Sequence, residues 1–372
     1  MTYTVRVLQS DAEFRALRSD WERLLRSALD ANTFMSHAWL ESWWMAYRPR
    51  ASLRILLAER DGSLCGIAPM MISRDAGIGR IFRRLRFIGD GTSETDHMNF
   101  LVGADDRFQV LAALLDAIDS LPWDIAHFSQ VPKTSAHTEQ LLGFANSRGW
   151  LLSSSEIPCP CRALPSSRDD LMRSLPGRLR TAIRSARRSL EERYAVEFGM
   201  CTDGYDLPVL LQALYRNHTS RWRGKGKEGV FVDERKRLFY SQLSSRLLAA
   251  GLLRFYYLKV DGAVIAQQYC FQHGDTVYLL QEGFDYDYAN LNVGNVLRTM
   301  VFEDLISRGV RHYDFLAGTS RHKRSWSDSE PVDLNVRACR PSVAGRAAHY
   351  LPRWLARAKH IVRSRELGTA TS

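Results

Sequence analysis

The sequence contains no apolar run near the roughly 20 residues that a membrane-spanning helix needs. One promising stretch, VLAALLDAI, is interrupted by Asp116. The opening residues, MTYTVRVLQSDAEF, show neither a basic segment nor the apolar core that directs secretion, so a cytoplasmic chain is expected. Cysteine is sparse and scattered, at positions 65, 159, 161, 201, 270 and 339. Only Cys159 and Cys161 stand close, and no second pair follows at metal spacing. That pattern suits reduced thiols and speaks against a disulfide framework or a structural metal. Also absent are a Gly-x-Ser-x-Gly elbow, a Walker loop, a dinucleotide fingerprint and a Cys–His pairing, the usual signatures of several hydrolase, nucleotide-binding and redox classes.

Positive charge is in excess. Lys and Arg number 51 against 41 Asp and Glu, a formal charge of +10. Such a balance fits an anionic partner (nucleic acid, a phosphate-bearing ligand or an acidic membrane face) or simply an arginine-rich surface. Arg178, Arg180, Arg184, Arg187 and Arg188 gather on one helix-patterned segment, tempered by Glu191 and Glu192. This is either an anion site or a solvated helical face.

An internal repeat organises the 372 residues. LRILLAERDGSLCGIAPMMI, from Leu53, and LRFYYLKVDGAVIAQQYCF, from Leu253, align without a gap at an offset of 200. In each, an apolar run enters an Asp-Gly pair and another leaves it, a strong hairpin signal because both residues tolerate positive φ. Ser10 and Glu13 spell a capping box, and Phe14, Leu17, Trp21, Leu24 and Leu25 keep helical spacing. Each half reads as helix, helix, hairpin, strand, helix, strand, an α/β layered unit with a mixed sheet. The Ser-, Pro- and Cys-rich SSSEIPCPCRALPSS marks the junction.

The ordered segments FMSHAWLESWW, DGSLCGIAPMM, LPGRLRTAIRSARRSLE, SRWRGKGKEGVF, DGAVIAQQYCF, QEGFDYDYANLNVGNVL and YDFLAGTSRHKRSW span most of residues 30–330. Together they resemble the acetyltransferase fold of the GNAT superfamily, duplicated. Their order is similar to that of a bacterial CelD/BcsL-like group linked to cellulose or exopolysaccharide biosynthesis, itself related to Fem-type aminoacyltransferases. The resemblance implies two tandem GNAT-like domains of α/β (α+β) class, each with a mixed, mostly antiparallel sheet flanked by helices. Residues 1–165 would form a degenerate N-terminal copy and 166–340 the copy with the donor site. The segment 341–372 would be a basic amphipathic helix or tail that either docks on the protein or makes peripheral membrane contact.

The same resemblance implies a donor site where two strands splay apart before a helix. A helix N-terminus carries about half a positive charge and unpaired N–H groups, and glycine admits close backbone approach. Gln281, Gly283, Asn292, Val293, Gly294 and Asn295 are the implied contacts to acetyl-CoA or another acyl-CoA; a plain helix cap remains the alternative. Glu282 and Asp314 are candidate bases, and Lys323, in HKRSW, a candidate to assist the carbonyl or phosphate. Asp96, Arg178, Arg221, Trp222, Gln267 and Trp326 are candidate substrate contacts, whereas His218 reads as a surface histidine. Two departures stand out. NLNVGN has one glycine and no basic residue where the GNAT loop carries Gln or Arg and two spaced glycines, and His322 replaces the group's tyrosine. Three readings follow: an acyl-CoA-dependent N- or O-acyltransferase acting on a small-molecule or glycan-precursor acceptor, a Fem-like enzyme drawing on aminoacyl-tRNA, or a non-catalytic subunit of a polysaccharide-synthesis complex.

Overall fold

The two Asp-Gly pairs fold as expected. Asp61 and Gly62 have φ of 51° and 75°, and Asp261 and Gly262 have 48° and 81°, the left-handed values that two-residue hairpin turns require. The computed structural model describes residues 3–48, 51–74, 81–223 and 229–350. In chain order the elements begin with β1 (Thr4–Leu8), α1 (Asp11–Ala16), α2 (Arg18–Ser27), α3 (His37–Tyr47), β2 (Ala51–Arg60) and β3 (Ser63–Ser73). Next come β4 (Arg84–Phe87), β5 (Leu101–Val102), α4 (Arg107–Ser120), β6 (Ile125–Pro132), α5 (Ala136–Ser147) and β7 (Leu151–Pro158). They continue as β8 (Cys161–Ala163), α6 (Arg168–Ser174), α7 (Gly177–Arg193), β9 (Val196–Met200), α8 (Leu207–Arg223), α9 (Glu234–Ala249) and β10 (Leu253–Val260). The last are β11 (Ala263–His273), β12 (Thr276–Phe284), α10 (Val293–Ser307), β13 (His312–Asp314), α11 (Arg321–Arg324) and β14 (Val332–Cys339).

The chain divides into two units, neither of them one continuous stretch. The first draws on Met1–His37, Arg48–Ile157 and Val332–Ser372, the second on Ala38–Tyr47 and Pro158–Pro331. Most of the basic segment 341–372 expected to form a helix or tail lies outside the described residues; 343–350 are helical.

In the first unit the sheet runs β1-β2-β3-β4-β6-β14-β7, with β5 beside β3. The pairings of known register are antiparallel except β4 with β6, which run parallel with Arg84 opposite Ile125. Helix α4 lays Val110, Leu111, Leu114 and Leu115 on this sheet, the one-sided spacing of an amphipathic helix. Gly66 in β3 permits the approach, since a Cβ there would stand 2.5 Å from Val110 Cγ1. The capping box at α1 is present, with Ser10 Oγ accepting from the Glu13 amide and Glu13 accepting from the Ser10 amide.

In the second unit the order is β8-β13-β12-β11-β10-β9, again with a single parallel pair, β12 with β13. Both hairpins carry a register shift at the same repeat position, between Ala58 and Glu59 and between Leu258 and Lys259. Alternate residues of β11 serve the two faces of the sheet. Gln268 and Cys270 meet Tyr313 on the α10 side; Gln267 meets Asn217 of α8, Tyr269 meets Ser244 of α9, and Phe271 meets Trp39 of α3. Each unit is thus a mixed sheet with helices on it.

His127 of β6 sits among Arg86, Arg84 and Arg337, and burial together with these charges pushes its pKa down from 6.5 to about 3. The unfolded chain therefore binds a proton at His127 that the folded chain refuses. Stability linked to this group is complete above pH 6.5 and drains away as the pH falls toward 3. We expect His127→Gln to flatten the decline of the unfolding midpoint over that range; an unaltered acid slope in thermal scans would contradict it.

Candidate active site

The site begins with a defect in the sheet. Cys270 lies opposite Leu279 and Tyr269 opposite Gln281, so Leu280 is an extra residue on β12. Such a bulge bends its strand and re-aims the side chains that follow. On the other edge, β13 pairs only with Thr276, Val277 and Tyr278. Beyond Asp314 the chain is drawn elsewhere. The Phe315 amide donates to the Pro160 carbonyl at 2.9 Å, and the Leu316 amide, in a residue at φ 60°, donates to Asp314 Oδ1 at 2.7 Å. From Leu279 onward no described strand pairs with that edge of β12, and a notch opens there.

Past the notch the backbone turns through 286–291 and Asn292, at φ 53°, starts α10 without a side-chain cap. Asn292 Oδ1 instead accepts from Asn295 Nδ2 at 2.8 Å, and Asn295 Oδ1 accepts from Trp326 Nε1 at 3.0 Å. The amides of Val293 and Gly294 have no acceptor among the described residues. They are the unpaired donors of a helix start, a place that favours negative charge. A Cβ on Gly294 would find only Phe284 Cδ1, at 3.8 Å.

Between the end of β12 and this helix start lies a cavity of about 220 Å³. One wall is apolar, from Phe284, Ala289, Val293 and Leu297; the other is polar, from Gln267, Gln268, Glu282 and His322. Glu282 is paired with Arg298, which has no exposed surface and lies over the rings of Phe315 at 5.0 Å and Trp326 at 5.7 Å. His322 Nδ1 stands 3.2 Å from Arg298 Nη1 and 3.5 Å from Glu282 Oε1. A carboxylate with a buried countercharge, an imidazole and two free amides thus face one small space. A wider groove of about 630 Å³ between α8 and α9 is lined by Leu207, Leu211, Tyr215, Arg237 and Leu248; it has no comparable cluster of acid, imidazole and backbone donors.

The structure brings together Gly283, Asn292, Val293, Gly294, Asn295, Glu282 and Gln267 around the cavity. Gln281, half-buried on β12, is not in its wall. Gly283 also serves packing, for a Cβ there would lie 3.3 Å from the His218 amide nitrogen of α8. Asp314 and Lys323 meet at the loop after β13, where Lys323 Nζ donates to the carbonyls of Leu316 at 3.1 Å and Ala317 at 2.7 Å. Trp326 is corrected from a substrate contact to a core residue, fully buried in the cluster under α10 and bonded to Asn295. Arg178 is exposed on α7. Arg187 reaches Glu303 late in α10, while Tyr194, capping α7, meets Tyr288 just ahead of α10. The two helices are therefore antiparallel, and Arg178 lies toward the end away from the notch. Asp96 is buried in the first unit, in the loop between β4 and β5. Arg221 and Trp222 end α8, and their side chains lie outside the described residues.

Arg298, Gln268 and His322 were not singled out as site residues from sequence. A signal for Arg298 existed: it is a lone charge among Val293, Val296, Leu297, Val301 and Phe302, the core residues of its helix. His218 is buried against Phe231, at 5.2 Å between rings, rather than on the surface. Removing Arg298 leaves Glu282 without its countercharge, so Arg298→Met should destabilise by about 3 kcal/mol in urea unfolding. Adding Glu282→Gln should recover part of the loss; strictly additive effects would show the pair to be uncoupled.

Residues 177–324 match the acetyltransferase (GNAT) domain family. No curated protein matches the sequence. Among solved structures the chain is similar to FemX, with a TM-score of 0.62 at 10% identity over 91% of this chain and 97% of that one. A conserved protein of unknown function from Bacteroides thetaiotaomicron VPI-5482 gives 0.56 at 14%, covering 90% and 100%. L-PGS from Bacillus licheniformis gives 0.52 at 12%, covering 87% and 93%. Identities this low speak to the fold alone. With the notch, the helix start and the family match in one place, the second unit carries an acetyltransferase (GNAT)-type domain.

Proposed function

We propose that this protein transfers an acyl group, acetyl in the simplest case, from an acyl-CoA thioester to an amine or hydroxyl of a small-molecule or glycan-precursor acceptor. The observation that carries this reading is the juxtaposition of the unpaired β12 edge with the two free amides of Val293 and Gly294. An extended thioester arm can pair with the strand edge, and its pyrophosphate oxygens can take the helix N–H groups. Glu282 then accepts the acceptor's proton, directly or through water, as nitrogen or oxygen attacks the thioester carbon. The new bond forms, the carbon–sulfur bond breaks, and the departing sulfur gains a proton, so charge and atoms balance. Asp314 and Lys323 contribute as positioning residues that shape the loop leading to His322. The order of motifs, which resembles that of a bacterial group linked to exopolysaccharide biosynthesis, supports a role in cell-envelope or exopolysaccharide metabolism, on the cytoplasmic side where acyl-CoA is made. No helix among the described residues is long and apolar enough to cross a membrane.

Gly294 has room for a side chain and does not adopt positive φ, so Gly294→Val should leave the thermal midpoint in place. Calorimetry should show acetyl-CoA binding weakened about tenfold or more, as the added methyls crowd the helix start. Glu282→Gln should lower turnover roughly 100-fold, the low end for loss of a general base. Unchanged affinity in the first variant would remove the pyrophosphate from this helix. Salt-sensitive binding of charged tRNA with no binding of acyl-CoA would transfer the donor assignment to tRNA.

A further inference from the structure

The groove between α8 and α9 is apolar along most of its wall and cationic where it meets a second cavity. Tyr215, in the second half of α8, meets Arg237, at the start of α9. Its hydroxyl donates to the Arg237 carbonyl at 3.4 Å, and the Arg237 guanidinium carbon stands 5.8 Å over its ring. The rest of the groove's wall is supplied mainly by Leu207, Leu211, Leu238, Leu248 and Ala249. Ser245, also in the wall, turns its hydroxyl back to the Ser241 carbonyl at 3.2 Å. Tyr205, Val209 and Leu238, in or beside this wall, are left 89%, 63% and 44% exposed. Large apolar side chains left in water together mark a place for an apolar partner.

The second cavity shares Gln212, Tyr215 and Arg237 with the groove and is polar, completed by Arg216, Thr219, Ser220 and Tyr286. Arg237 is fixed through Nε, which donates to the Phe231 carbonyl at 2.6 Å; Arg216 Nε donates to Asn217 Oδ1 at 3.4 Å. Both side chains are exposed, and among the described residues neither guanidinium has a carboxylate partner. The one carboxylate in either wall, Asp203, precedes α8 and accepts the amides of Tyr205 and Asp206 at 2.8 and 3.2 Å. Two guanidinium forks without countercharge suit a phosphate. This polar end is also the one that approaches the notch. A Cβ on Gly283 would stand 3.3 Å from the His218 amide nitrogen and 3.5 Å from Asn217 Cβ, one and two residues on from Arg216. Tyr286 follows Phe284, a wall residue of the notch cavity, by two positions.

Resting on the acyl-transfer reading above, we propose that the acceptor is an amphiphile. Its hydrocarbon chain lies in the α8–α9 groove, and Arg216 and Arg237 hold a phosphate-bearing headgroup whose amine or hydroxyl is thereby brought toward Glu282. A neutral chain leaves the two arginines without a countercharge, and a bare phosphate leaves the apolar wall in water. The two halves together specify one ligand.

The test titrates the full-length protein by calorimetry with dodecyl phosphate, dodecyl maltoside and butyl phosphate, each below its micelle-forming concentration. Dodecyl phosphate should bind about tenfold more tightly than the neutral maltoside, through charge-assisted hydrogen bonds. It should bind about a hundredfold more tightly than butyl phosphate, through the buried chain. Arg216→Gln/Arg237→Gln should remove the first preference, and Leu238→Glu, at an exposed position, the second. Equal binding of dodecyl phosphate and the maltoside would overturn the proposal as detergent adsorption. Equal binding of the two phosphates would overturn it by reducing the site to one for free phosphate. No alkyl phosphate binding, with self-association that Leu238→Glu abolishes, would give the groove to a second copy of the chain. Saturating acetyl-CoA should leave the affinity for dodecyl phosphate unaltered; competition would put the chain in the donor's notch and overturn the acceptor role. Absence of acetyl-CoA binding would remove the acyl-CoA reading and the acceptor role with it, while the alkyl phosphate titrations still decide whether the groove holds an amphiphile.

Discussion

Three residues of parallel pairing, Thr276 to Tyr278 of β12 against His312 to Asp314 of β13, are the constraint on which the site depends. Were the pairing longer, the edge of β12 would be consumed by the sheet and no notch would exist. Two local devices end it. The bulge at Leu280 bends β12, and the turn after β13, held by Asp314 and the left-handed Leu316, carries that strand's continuation away. A bulge costs ladder hydrogen bonds, and here the loss exposes backbone groups at the edge where an extended ligand can add itself. The first unit's parallel pair is equally short, Arg84 to Arg86 of β4 against Ile125 to His127 of β6. There β4 ends at Phe87, and the loop beyond it buries Glu94, Thr95, Asp96 and Asn99.

Countercharge is the second organising feature. Arg298 lies without exposed surface inside an apolar helix face, and its guanidinium is spent on Glu282, His322 and two aromatic rings. Buried charge is tolerated only when paired and held in place. Phe315 and Trp326 do the holding, and Trp326 also bonds the Asn295 side chain beside the free amides of α10. One aromatic thus links the acid's countercharge to the helix start, which explains why a tryptophan that reads as a substrate contact in sequence is fully buried.

Much of the architecture could be read from the sequence because its signals are local. The Asp-Gly turns, the capping box at Ser10 and the helical spacing around Phe14 and Trp21 each need only a few residues to be recognised, and each is present. Short strands such as β1, β8, β9 and β14 were not foreseen, since their partners lie far away in the chain: β14 pairs with β6, some two hundred residues earlier. The register shifts in both hairpins were likewise invisible, although they repeat at equivalent positions. At the site, the helix start and Glu282 were implied by the resemblance to the GNAT fold. Arg298 and Gln268 were not, because their roles come from burial, which depends on what packs above them. Gly283 was read as a ligand contact; it lines the cavity, and its missing side chain also lets α8 come close.

The central claim is that the notch and the first turn of α10 form one donor site. Amide hydrogen exchange with and without coenzyme A tests it most directly, because the groups in question are backbone N–H donors. The account predicts new protection at Val293 and Gly294 and along Leu279 to Phe284, with little change in β9 or β10 far from the notch. Protection confined to the α8–α9 groove, or none at saturating coenzyme A, would contradict it.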